Sequence, residues 1–333
     1  MKNVLLTGAG GFIGSHLTEA LIAQGVHLRA FIRYNSRGDT GLLKQLDPHF
    51  QKEIELVTGD ITDQDAVRKA VAGCDTVFHL GALISIPYSY KHPEQVVATN
   101  VVGTLNVLLA ARDLGVERVV HTSTSEVYGS ARTVPISEEH PLHGQSPYSA
   151  SKIGADKLAE SFYCAFGLPV VTVRPFNTFG PRQSARAVIP TIITQALTQD
   201  EVRLGSLDTR RDFTYVTDTV AGFIKAAQTP GIEGQVFNLG TGREFWISDL
   251  VNIILDLIPQ ISAEQEKVRP TLKIENQRLR PEKSEVMRLL SDNTKARDCL
   301  NWSPDVSLED GLHHTMLWIA KHLDFYRPGV YEF

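Results

Sequence analysis

The chain has 333 residues, of which 42% are hydrophobic and 21% are charged, a composition typical of a folded globular protein. Its formal net charge of -5 and the lack of a long Lys/Arg cluster argue against a surface that binds nucleic acid or an anionic membrane. This length accommodates one large α/β domain, or one such domain with a smaller appendage.

Three cysteines, Cys74, Cys164 and Cys299, lie far apart and form no CxxC pair. The spacing predicts neither a disulfide framework nor a metal site, and we interpret the three as buried thiols in a reducing compartment. The N-terminal run MKNVLLTG is too short for the apolar core of a signal peptide or for a membrane span. We therefore expect a cytoplasmic protein without a membrane partner.

Strand-like runs alternate with helical patterns over the first 175 residues. The apolar run NVLLTG predicts a strand buried on both faces, and Ile13, Leu17 and Leu21 form one stripe of the helix that follows it. Five more strand candidates come in the order VHLRAFIR, IELVTGD, DTVFHLGA, VERVVHTS and PVVTVRPF. Helical patterns lie near 64–72, 94–114 and 149–166. Repeated units of this kind predict an α/β fold with a doubly wound parallel sheet of the Rossmann type.

The pattern loosens beyond Pro175, where short strands alternate with Pro and Gly punctuation. Helices are predicted near 187–198, 217–228 and 247–258. The polar segment 260–270 is expected to be a surface connection. These features predict a second, smaller α+β domain in the C-terminal part of the chain.

Three glycines, Gly8, Gly11 and Gly14, lie between the first predicted strand and the first helix, in the stretch LLTGAGGFIGSH. A tight glycine turn allows backbone N–H groups to approach a pyrophosphate, and the N-terminus of the helix adds a favourable dipole. The spacing is GxxGxxG and differs from the commonest dinucleotide fingerprint, GxGxxG. Followed by regular βα units, it predicts a dinucleotide site.

The end of the second strand bears on the choice of cofactor. An NAD site usually has an acidic residue there, which accepts hydrogen bonds from the ribose hydroxyls. Here the stretch FIRYNSRGD has Arg33 and no acidic residue before Asp39. Arg33 could hold the 2′-phosphate of NADP, stack on the adenine, or be a solvated surface residue. We favour NAD and leave NADP open. Asp60 is expected to contact the adenine.

Tyr148 and Lys152 are four residues apart in SPYSASKIGADKLAESF and would share one face of a helix. A nearby ammonium and a nicotinamide ribose could lower the pKa of the phenol and make Tyr148 a usable base. A solvent-facing tyrosine beside a surface lysine would give the same pattern. The Ser and Thr residues at the end of the fifth strand favour the catalytic interpretation.

TGAGGFIG, HLGA, STSEVYG, YSASK and RPFNTFGPR together resemble the extended short-chain dehydrogenases/reductases, the nucleotide-sugar epimerases and dehydratases. RRDFTYVTD, FNLGTG and RPEKSEV match later landmarks, so the resemblance covers essentially the whole chain. It implies a dinucleotide-binding domain of 1–175 with about 212–240, and a nucleotide-sugar-binding domain of about 176–211 with 241–333. It also implies a homodimer that pairs the helices near 94–114 and 149–166.

The resemblance also implies the residues that contact the cofactor. They are Gly8, Gly11, Phe12, Ile13, Gly14, Arg33, Asp60, Ile61, Leu80, Ala82, Tyr148 and Lys152.

In such enzymes the Thr of strand five binds the sugar's 4-hydroxyl, the Tyr removes its proton, and the hydride at C4 passes to the nicotinamide. A 4,6-dehydratase must also remove the C5 proton and eliminate the C6 hydroxyl, which requires a carboxylate. The triplet Thr124-Ser125-Glu126 resembles the GDP-mannose dehydratase version. Glu126 is therefore the expected C5 base and proton source for the departing water, because Ser125 replaces the Asp found in other dehydratases.

HLGALISIPYSY, RPFNTFGPRQSARAVIPTIITQAL and QRLRPEKSEVMRLLSDNTKA look most like the LegB-type dehydratases of legionaminic acid biosynthesis. Those enzymes act on UDP- or GDP-linked N-acetylglucosamine and form the 4-keto-6-deoxy sugar. By this resemblance Asn177 contacts the diphosphate and Val188 lies along the base. Arg211 and Arg280 clamp phosphate or nucleotide, a task for which the planar guanidinium is suited.

Three alternatives remain. A UDP-glucuronate decarboxylase shares the Ser-Glu pair but needs a cation for the substrate carboxylate, and no additional Arg lies beside Tyr148 in the sequence. A UDP-sugar 4-epimerase is disfavoured by Glu126. A non-catalytic nucleotide-sensing scaffold would be expected to lose the Tyr/Lys pair, which is intact here.

Overall fold

The computed structural model describes residues 1–261 and 269–331, so most of the predicted surface connection at 260–270 lies outside the described residues. In chain order the strands are β1 (Asn3–Thr7), β2 (His27–Arg33), β3 (Ile54–Gly59), β4 (Thr76–His79), β5 (Arg118–Thr122), β6 (Val170–Pro175), β7 (Asn177–Phe179), β8 (Glu201–Leu204), β9 (Arg210–Tyr215), β10 (Val236–Leu239), β11 (Glu244–Trp246), β12 (Thr271–Ile274) and β13 (Arg288–Leu289).

The helices are α1 (Phe12–Ala23), α2 (Pro48–Lys52), α3 (Gln64–Val71), α4 (Ile86–Lys91), α5 (Pro93–Val97), α6 (Gly103–Asp113), α7 (Pro147–Phe166), α8 (Val188–Thr198), α9 (Val216–Gln228), α10 (Ile247–Leu257), α11 (Thr294–Leu300) and α12 (Leu308–Lys321). The π-helical stretch Ala98–Val102 joins α5 to α6. Each predicted helix is present within a few residues of its predicted bounds. The sequence pattern did not predict α2, α4, α11 and α12.

Seven parallel strands form the main sheet in the order β10-β6-β5-β4-β1-β2-β3. The chain winds outward in one direction through β2 and β3 and in the other through β4, β5 and β6. This arrangement confirms the predicted doubly wound fold. The direction of winding reverses between β1 and β4, and in such sheets the ligand cleft lies outside the carboxyl ends of the strands at this point.

The central strand is buried on both faces, as its unbroken apolar sequence predicts. Val4, Leu5 and Leu6 have no exposed surface, because helices cover the two sides of the sheet. Leu17 and Leu21 of α1 pack into the core on one side. Leu5 belongs to the separate core cluster on the other side of the sheet. Two apolar layers therefore hold β1 rigidly, and the glycine turn follows directly from it.

The segments beyond β6 build smaller sheets. Strand β9 pairs with β7 and β13 in parallel and with β11 in antiparallel fashion, and β8 pairs with β12. Strand β10 returns to the main sheet beside β6. The mixed strand directions agree with the predicted α+β character of this region. The proposed residue boundaries between two domains stay a prediction.

The cysteines correct one expectation. Cys74 is half-buried, whereas Cys164 on α7 and Cys299 on α11 are exposed, so the interpretation of all three as buried thiols is wrong. Both exposed cysteines lie on the outer faces of helices whose opposite faces supply the core contacts.

One helical run, Pro93–Asp113, has the length and the mean hydropathy, 1.2, of a membrane span, but half of it is buried inside the molecule. It packs against α3 and α7, as a core helix of a globular protein does. Length and hydropathy are therefore explained here by packing within the fold.

Candidate active site

The turn between β1 and α1 can be formed only by glycine at two positions. Gly8 has a φ of +74°, and a Cβ there would lie 2.8 Å from the backbone nitrogen of Gly81. A Cβ on Gly14 would collide with the backbone oxygen of Gly8. Gly11 precedes the first residue of α1 and gives it no side-chain cap. The N-terminus of α1 therefore faces the cleft with backbone N–H groups free of a capping side chain, which suits a phosphate.

A cleft of about 890 Å³ opens from this turn along the carboxyl ends of the strands. All but one of the residues predicted to contact the cofactor line it, the exception being Lys152. The lining includes Gly8, Gly11, Phe12, Ile13, Gly14, Arg33, Asp60, Ile61, Leu80, Ala82 and Tyr148. The volume is large enough for a dinucleotide, and the glycine turn, the open helix end and the polar strand ends fit its parts.

Arg33 and Asp60 lie at the ends of β2 and β3. Asp60 Oδ1 accepts hydrogen bonds from the backbone nitrogen of Thr62 at 2.9 Å and from its hydroxyl at 2.7 Å. These bonds, with a smaller contribution from the charge of Arg33, lower the pKa of Asp60. Asp60 is therefore a carboxylate that holds its own turn, and its second oxygen remains available at the cleft. Arg33 itself is exposed.

A loop that the sequence analysis missed also borders the cleft. The backbone nitrogen of Leu42 donates to the carbonyl of Gly10 at 2.9 Å, and a Cβ on Gly10 would lie 2.8 Å from the carbonyl of Thr40. Gly41 has a φ of +65°, and a Cβ there would approach the same Gly10 carbonyl at 2.6 Å. Gly10 and Gly41 were the sequence signal that could have predicted this close approach of the loop to the turn.

Helix α7 presents Tyr148 and Lys152 to the end of β5. Ser146 and Ser149 form a reciprocal capping box, and Pro147 takes the first helical position, so the helix starts immediately before Tyr148. Both predicted catalytic side chains are buried. Lys152 Nζ donates to the backbone carbonyl of Thr122 at 2.6 Å.

Burial dominates the titration of this pair. It raises the pKa of Tyr148, and the neighbouring Thr124 hydroxyl only partly opposes that effect. Burial also lowers the pKa of Lys152 to about 8, with Asp156 acting in the opposite direction. The lysine, which is hydrogen-bonded to Thr122, therefore does not lower the pKa of the phenol as the sequence analysis expected.

The triplet Thr124-Ser125-Glu126 follows β5 as the start of a short 3-10 turn, Ser125–Tyr128. Thr124 is its N-cap, and the Thr124 hydroxyl accepts a hydrogen bond from the backbone nitrogen of Glu126 at 3.2 Å. All three residues line the cleft together with Tyr148. The cap therefore fixes the direction in which the Glu126 side chain leaves the backbone.

A second cavity of about 790 Å³ adjoins the first, and Glu126 and Asn177 line both. Val188, Arg211 and Arg280 line the second cavity, so the structure brings together every substrate-binding residue that the sequence predicts. Asn177 is held by a hydrogen bond from its side-chain nitrogen to the carbonyl of Asp212 at 3.1 Å. Glu126 thus lies where the two cavities meet.

Glu285 is a further residue of this cavity that sequence reasoning did not single out, although it falls in the quoted motif RPEKSEV. Arg211 Nη2 lies 3.3 Å from Glu285 Oε1. Arg280 Nη1 lies 3.6 Å from Glu285 Oε1 and 3.8 Å from Glu126 Oε1. Two cations and two carboxylates therefore form one cluster.

Within residues 1–261 and 269–331, no group of three or more His, Cys, Asp and Glu side chains is arranged to hold a metal ion.

The doubly wound sheet, the glycine turn and the Tyr/Lys pair define an extended short-chain dehydrogenase/reductase with a nucleotide-sugar cavity beside its cofactor cleft. The family model described as GDP-mannose 4,6 dehydratase matches residues 5–315. The chain belongs to this family of nucleotide-sugar dehydratases and epimerases.

The chain is 34% identical over 333 residues to dTDP-glucose 4,6-dehydratase of Streptomyces griseus, with 98% of this chain and 97% of that protein covered. It is 33% identical over 329 residues to UDP-glucose 4-epimerase of Mycolicibacterium smegmatis, with 97% and 98% covered. DesIV, a dTDP-glucose 4,6-dehydratase from Streptomyces venezuelae solved with NAD and TYD bound, matches with a TM-score of 0.84. That match has 28% identity and covers 98% of this chain and 99% of DesIV. The cofactor is NAD.

Proposed function

We propose that the protein is a nucleotide-sugar 4,6-dehydratase that converts UDP- or GDP-linked N-acetylglucosamine to the 4-keto-6-deoxy sugar. The observation that carries this proposal is the position of Glu126. Glu126 lines both the cofactor cleft and the adjoining cavity, and in the cleft it lies beside Thr124 and Tyr148. A carboxylate at that junction is what elimination across C5 and C6 requires, and a simple 4-epimerisation does not need it.

In the proposed reaction Thr124 binds the sugar's 4-hydroxyl and Tyr148 removes its proton. NAD, when bound, accepts the hydride of C4 and later returns it to C6. Lys152 would help to hold the nicotinamide ribose and would supply positive charge near the phenol, which favours the phenolate. This role agrees with the position of the lysine one helical turn from Tyr148.

Glu126 then takes the C5 proton, which the C4 ketone has acidified. The electrons of that C–H bond form the C5–C6 double bond as the C6–O bond breaks. The departing hydroxyl receives the proton from Glu126 and leaves as water. Ser125 occupies the place of the Asp that other dehydratases have, so Glu126 serves both steps. The hydride returns to C6 while C5 takes a proton from solvent water, and Tyr148 releases to solvent the proton that it removed from the 4-hydroxyl, so that the protons balance.

On the substrate side, Asn177, Arg211 and Arg280 contact the diphosphate and Val188 lies along the base. Guanidinium groups pair bidentately with phosphate oxygens, and both arginines line the cavity that adjoins Glu126. We also propose that the protein is cytoplasmic and homodimeric. Val97, Val102 and Phe166 expose apolar surface on the helices expected to pair, which supports a dimer.

The test is to incubate the purified protein separately with UDP-N-acetylglucosamine and GDP-N-acetylglucosamine without added cofactor. We expect the mass of one of them to fall by one water molecule. The Glu126→Gln variant should oxidise C4 and fail to eliminate water. Wild-type protein that leaves both substrates unchanged, or a Gln variant that dehydrates at the wild-type rate, would contradict the proposal.

A second candidate is decarboxylation of UDP-glucuronate, since Arg280 Nη1 lies 3.8 Å from Glu126 Oε1 and could face a carboxylate at C6. Glu285 shares the same guanidinium at 3.6 Å, which makes that cation less available to a substrate carboxylate. Incubation with UDP-glucuronate distinguishes the candidates, because loss of CO2 indicates the second.

A further inference from the structure

In the cluster of two arginines and two glutamates, Glu285 has more ion-pair contacts than Glu126. Glu285 lies within ion-pair distance of both guanidinium groups, at 3.3 Å from Arg211 and 3.6 Å from Arg280. Glu126 is within ion-pair distance of Arg280 alone, at 3.8 Å, which is too long for a hydrogen bond. Arg280 therefore lies between the two carboxylates at similar distances, whereas Arg211 is within ion-pair distance of Glu285 and not of Glu126.

These charges are poorly hydrated. The side chains of Glu126 and Glu285 are 14% and 15% exposed, that of Arg280 is 27% exposed, and Arg211 is buried. Burial alone would lower the pKa of Arg280, but Glu126 and Glu285 more than offset it and raise that pKa. Tyr90 and Tyr331 also face this guanidinium and act in the same direction. Ion pairs in such a setting are strong, so a small movement of Arg280 changes the environment of Glu126 substantially.

Charge, and not a hydrogen bond from Nη1, holds Arg280 in this cluster. Its buried Nη1 forms no hydrogen bond with any part of the chain that the structure describes. Without a carboxylate at position 285, both cations would have Glu126 as their nearest anion in the cluster. A bidentate pair with arginine stabilises a carboxylate and makes it a weaker proton acceptor.

The backbone around Glu285 is held independently of its side chain. The carbonyl of Glu285 accepts from the Ser130 hydroxyl and from Gln145 Nε2, both at 3.4 Å. Ser284 Oγ lies 2.6 Å from the Tyr90 hydroxyl, within hydrogen-bond distance. Strand β13 follows within three residues and pairs with β9. A change of the carboxyl group alone should therefore leave this segment in place.

We propose that Glu285 is a positioning residue that keeps Arg211 and Arg280 from forming a bidentate hydrogen-bonded pair with Glu126, so that Glu126 can accept the C5 proton. This inference rests on the proposed function. With the nucleotide sugar bound, the diphosphate oxygens and the Glu285 carboxylate share the two guanidinium groups. Glu285 thus keeps both arginines from pairing with the catalytic carboxylate during the elimination step.

The experiment compares Glu285→Gln with Glu282→Gln, which removes an exposed carboxylate from the same 3-10 turn. Each variant is mixed with the sugar nucleotide, and the absorbance of the reduced nicotinamide is followed in a stopped-flow instrument. We expect Glu285→Gln to oxidise C4 normally and to accumulate reduced cofactor. Its exchange of the C5 hydrogen with deuterated solvent and its kcat should fall by about tenfold or more. Glu282→Gln should behave as the wild type.

Glu285→Asp is the second variant, because it keeps the charge and shortens the side chain. It should recover most of the lost turnover. An Asp variant as slow as the Gln variant would overturn the inference. So would a Gln variant that raises KM with unchanged kcat, since Glu285 would then act in binding only. If the wild type dehydrates and Glu126→Gln does not, while Glu285→Gln matches Glu282→Gln, the inference fails and the proposed function stands.

Discussion

Arg174 Nη2 donates a hydrogen bond of 2.9 Å to Asp156 Oδ2 and joins β6 to α7 beneath the catalytic pair. Asp156 lies four residues after Lys152, on the same face of the helix. It also accepts from His121 Nε2 at 3.1 Å and from the Ser123 hydroxyl at 2.8 Å. The orientation of the helix that carries the Tyr/Lys pair therefore depends on a fully buried carboxylate with partners on two strands.

Replacing Asp156 by Asn should destabilise the protein by about 3 kcal/mol, since it leaves the charge of Arg174 buried without its partner. Glu160→Gln on the exposed side of α7, where Glu160 pairs with Lys157, is the control and should cost about 0.5 kcal/mol or less. Urea unfolding at neutral pH measures both. Equal effects of the two substitutions would show that the buried pair does not stabilise the fold.

The stabilisation that Asp156 gives the wild type relative to Asp156→Asn should also depend on pH. Burial raises the pKa of Asp156, but the hydrogen bond from His121 and the charge of Arg174 outweigh it and lower the pKa to about 2. The stabilisation is therefore complete above the ordinary Asp pKa of about 4 and is lost as the pH falls through about 2. The difference in unfolding free energy between the wild type and Asp156→Asn should stay constant from pH 6 to about 4 and shrink as the pH falls toward about 2. Urea unfolding over that range measures it, and a difference that does not change with pH would contradict the prediction.

Replacing Tyr148 by Phe should lower turnover by about a thousandfold, because the variant has no group to accept the proton of the 4-hydroxyl. Binding of the nucleotide sugar should remain, since the ring is kept. Tyr163→Phe on the exposed face of the same helix is the control and should turn over normally. Steady-state rates and calorimetric binding check both, and normal turnover of the Tyr148 variant contradicts its assignment.

Replacing Lys152 by Met should stabilise the cofactor-free protein by about 2 kcal/mol at pH 7 while abolishing activity. Burial lowers the pKa of Lys152 from 10.5 to about 8, so keeping the lysine charged at pH 7 destabilises the folded state. This cost is fully present below pH 8 and disappears as the pH rises toward the unfolded pKa. Urea unfolding at pH 7 and at pH 10 should show a gain that shrinks, and a destabilised variant at pH 7 would refute the prediction.

Replacing Gly14 by Ala should weaken NAD binding and cost about 2 kcal/mol of stability, because the added Cβ meets the Gly8 backbone and lies 2.9 Å from the Cα of Ala9. Gly154→Ala in α7 is the control, since its Cβ would meet Val101 at an ordinary 3.4 Å. That variant should be neutral or slightly stabilising. Thermal unfolding with and without NAD separates the two effects, and equal behaviour of the two variants would contradict the prediction.

The sequence predicted those features that depend on neighbours along the chain. The apolar run of β1, the glycine turn and the spacing of Tyr148 and Lys152 are local patterns, and each lies where the pattern indicated. Helix α11 has seven residues, too few for a clear helical period, and it was missed. Helix α12 was also missed, although Leu308, Leu312, Met316 and Ile319 form a regular apolar stripe that was an available sequence signal.

Contacts between distant segments could not be predicted in the same way. Glu285 reaches Arg211 only because β13 pairs with β9, and that pairing of two residues has no periodic signal. The hydrogen bond from Lys152 to Thr122 was also not predicted. The position of a lysine on a helix face does not determine which backbone carbonyl its long side chain reaches. The pKa of Tyr148 is raised because its side chain is buried, and its four-residue spacing from Lys152 did not predict that burial.

The loop after β2 is fastened to the glycine turn by the hydrogen bond between Leu42 and Gly10. A dinucleotide in the cleft beside this loop would dissociate slowly if the loop stays bound to the glycine turn. The proposed reaction gives its hydride back before the product departs, so each cycle ends with the coenzyme in its starting oxidation state. The rate would then depend on the supply of sugar nucleotide and would be insensitive to the balance of oxidised and reduced dinucleotide in the surroundings.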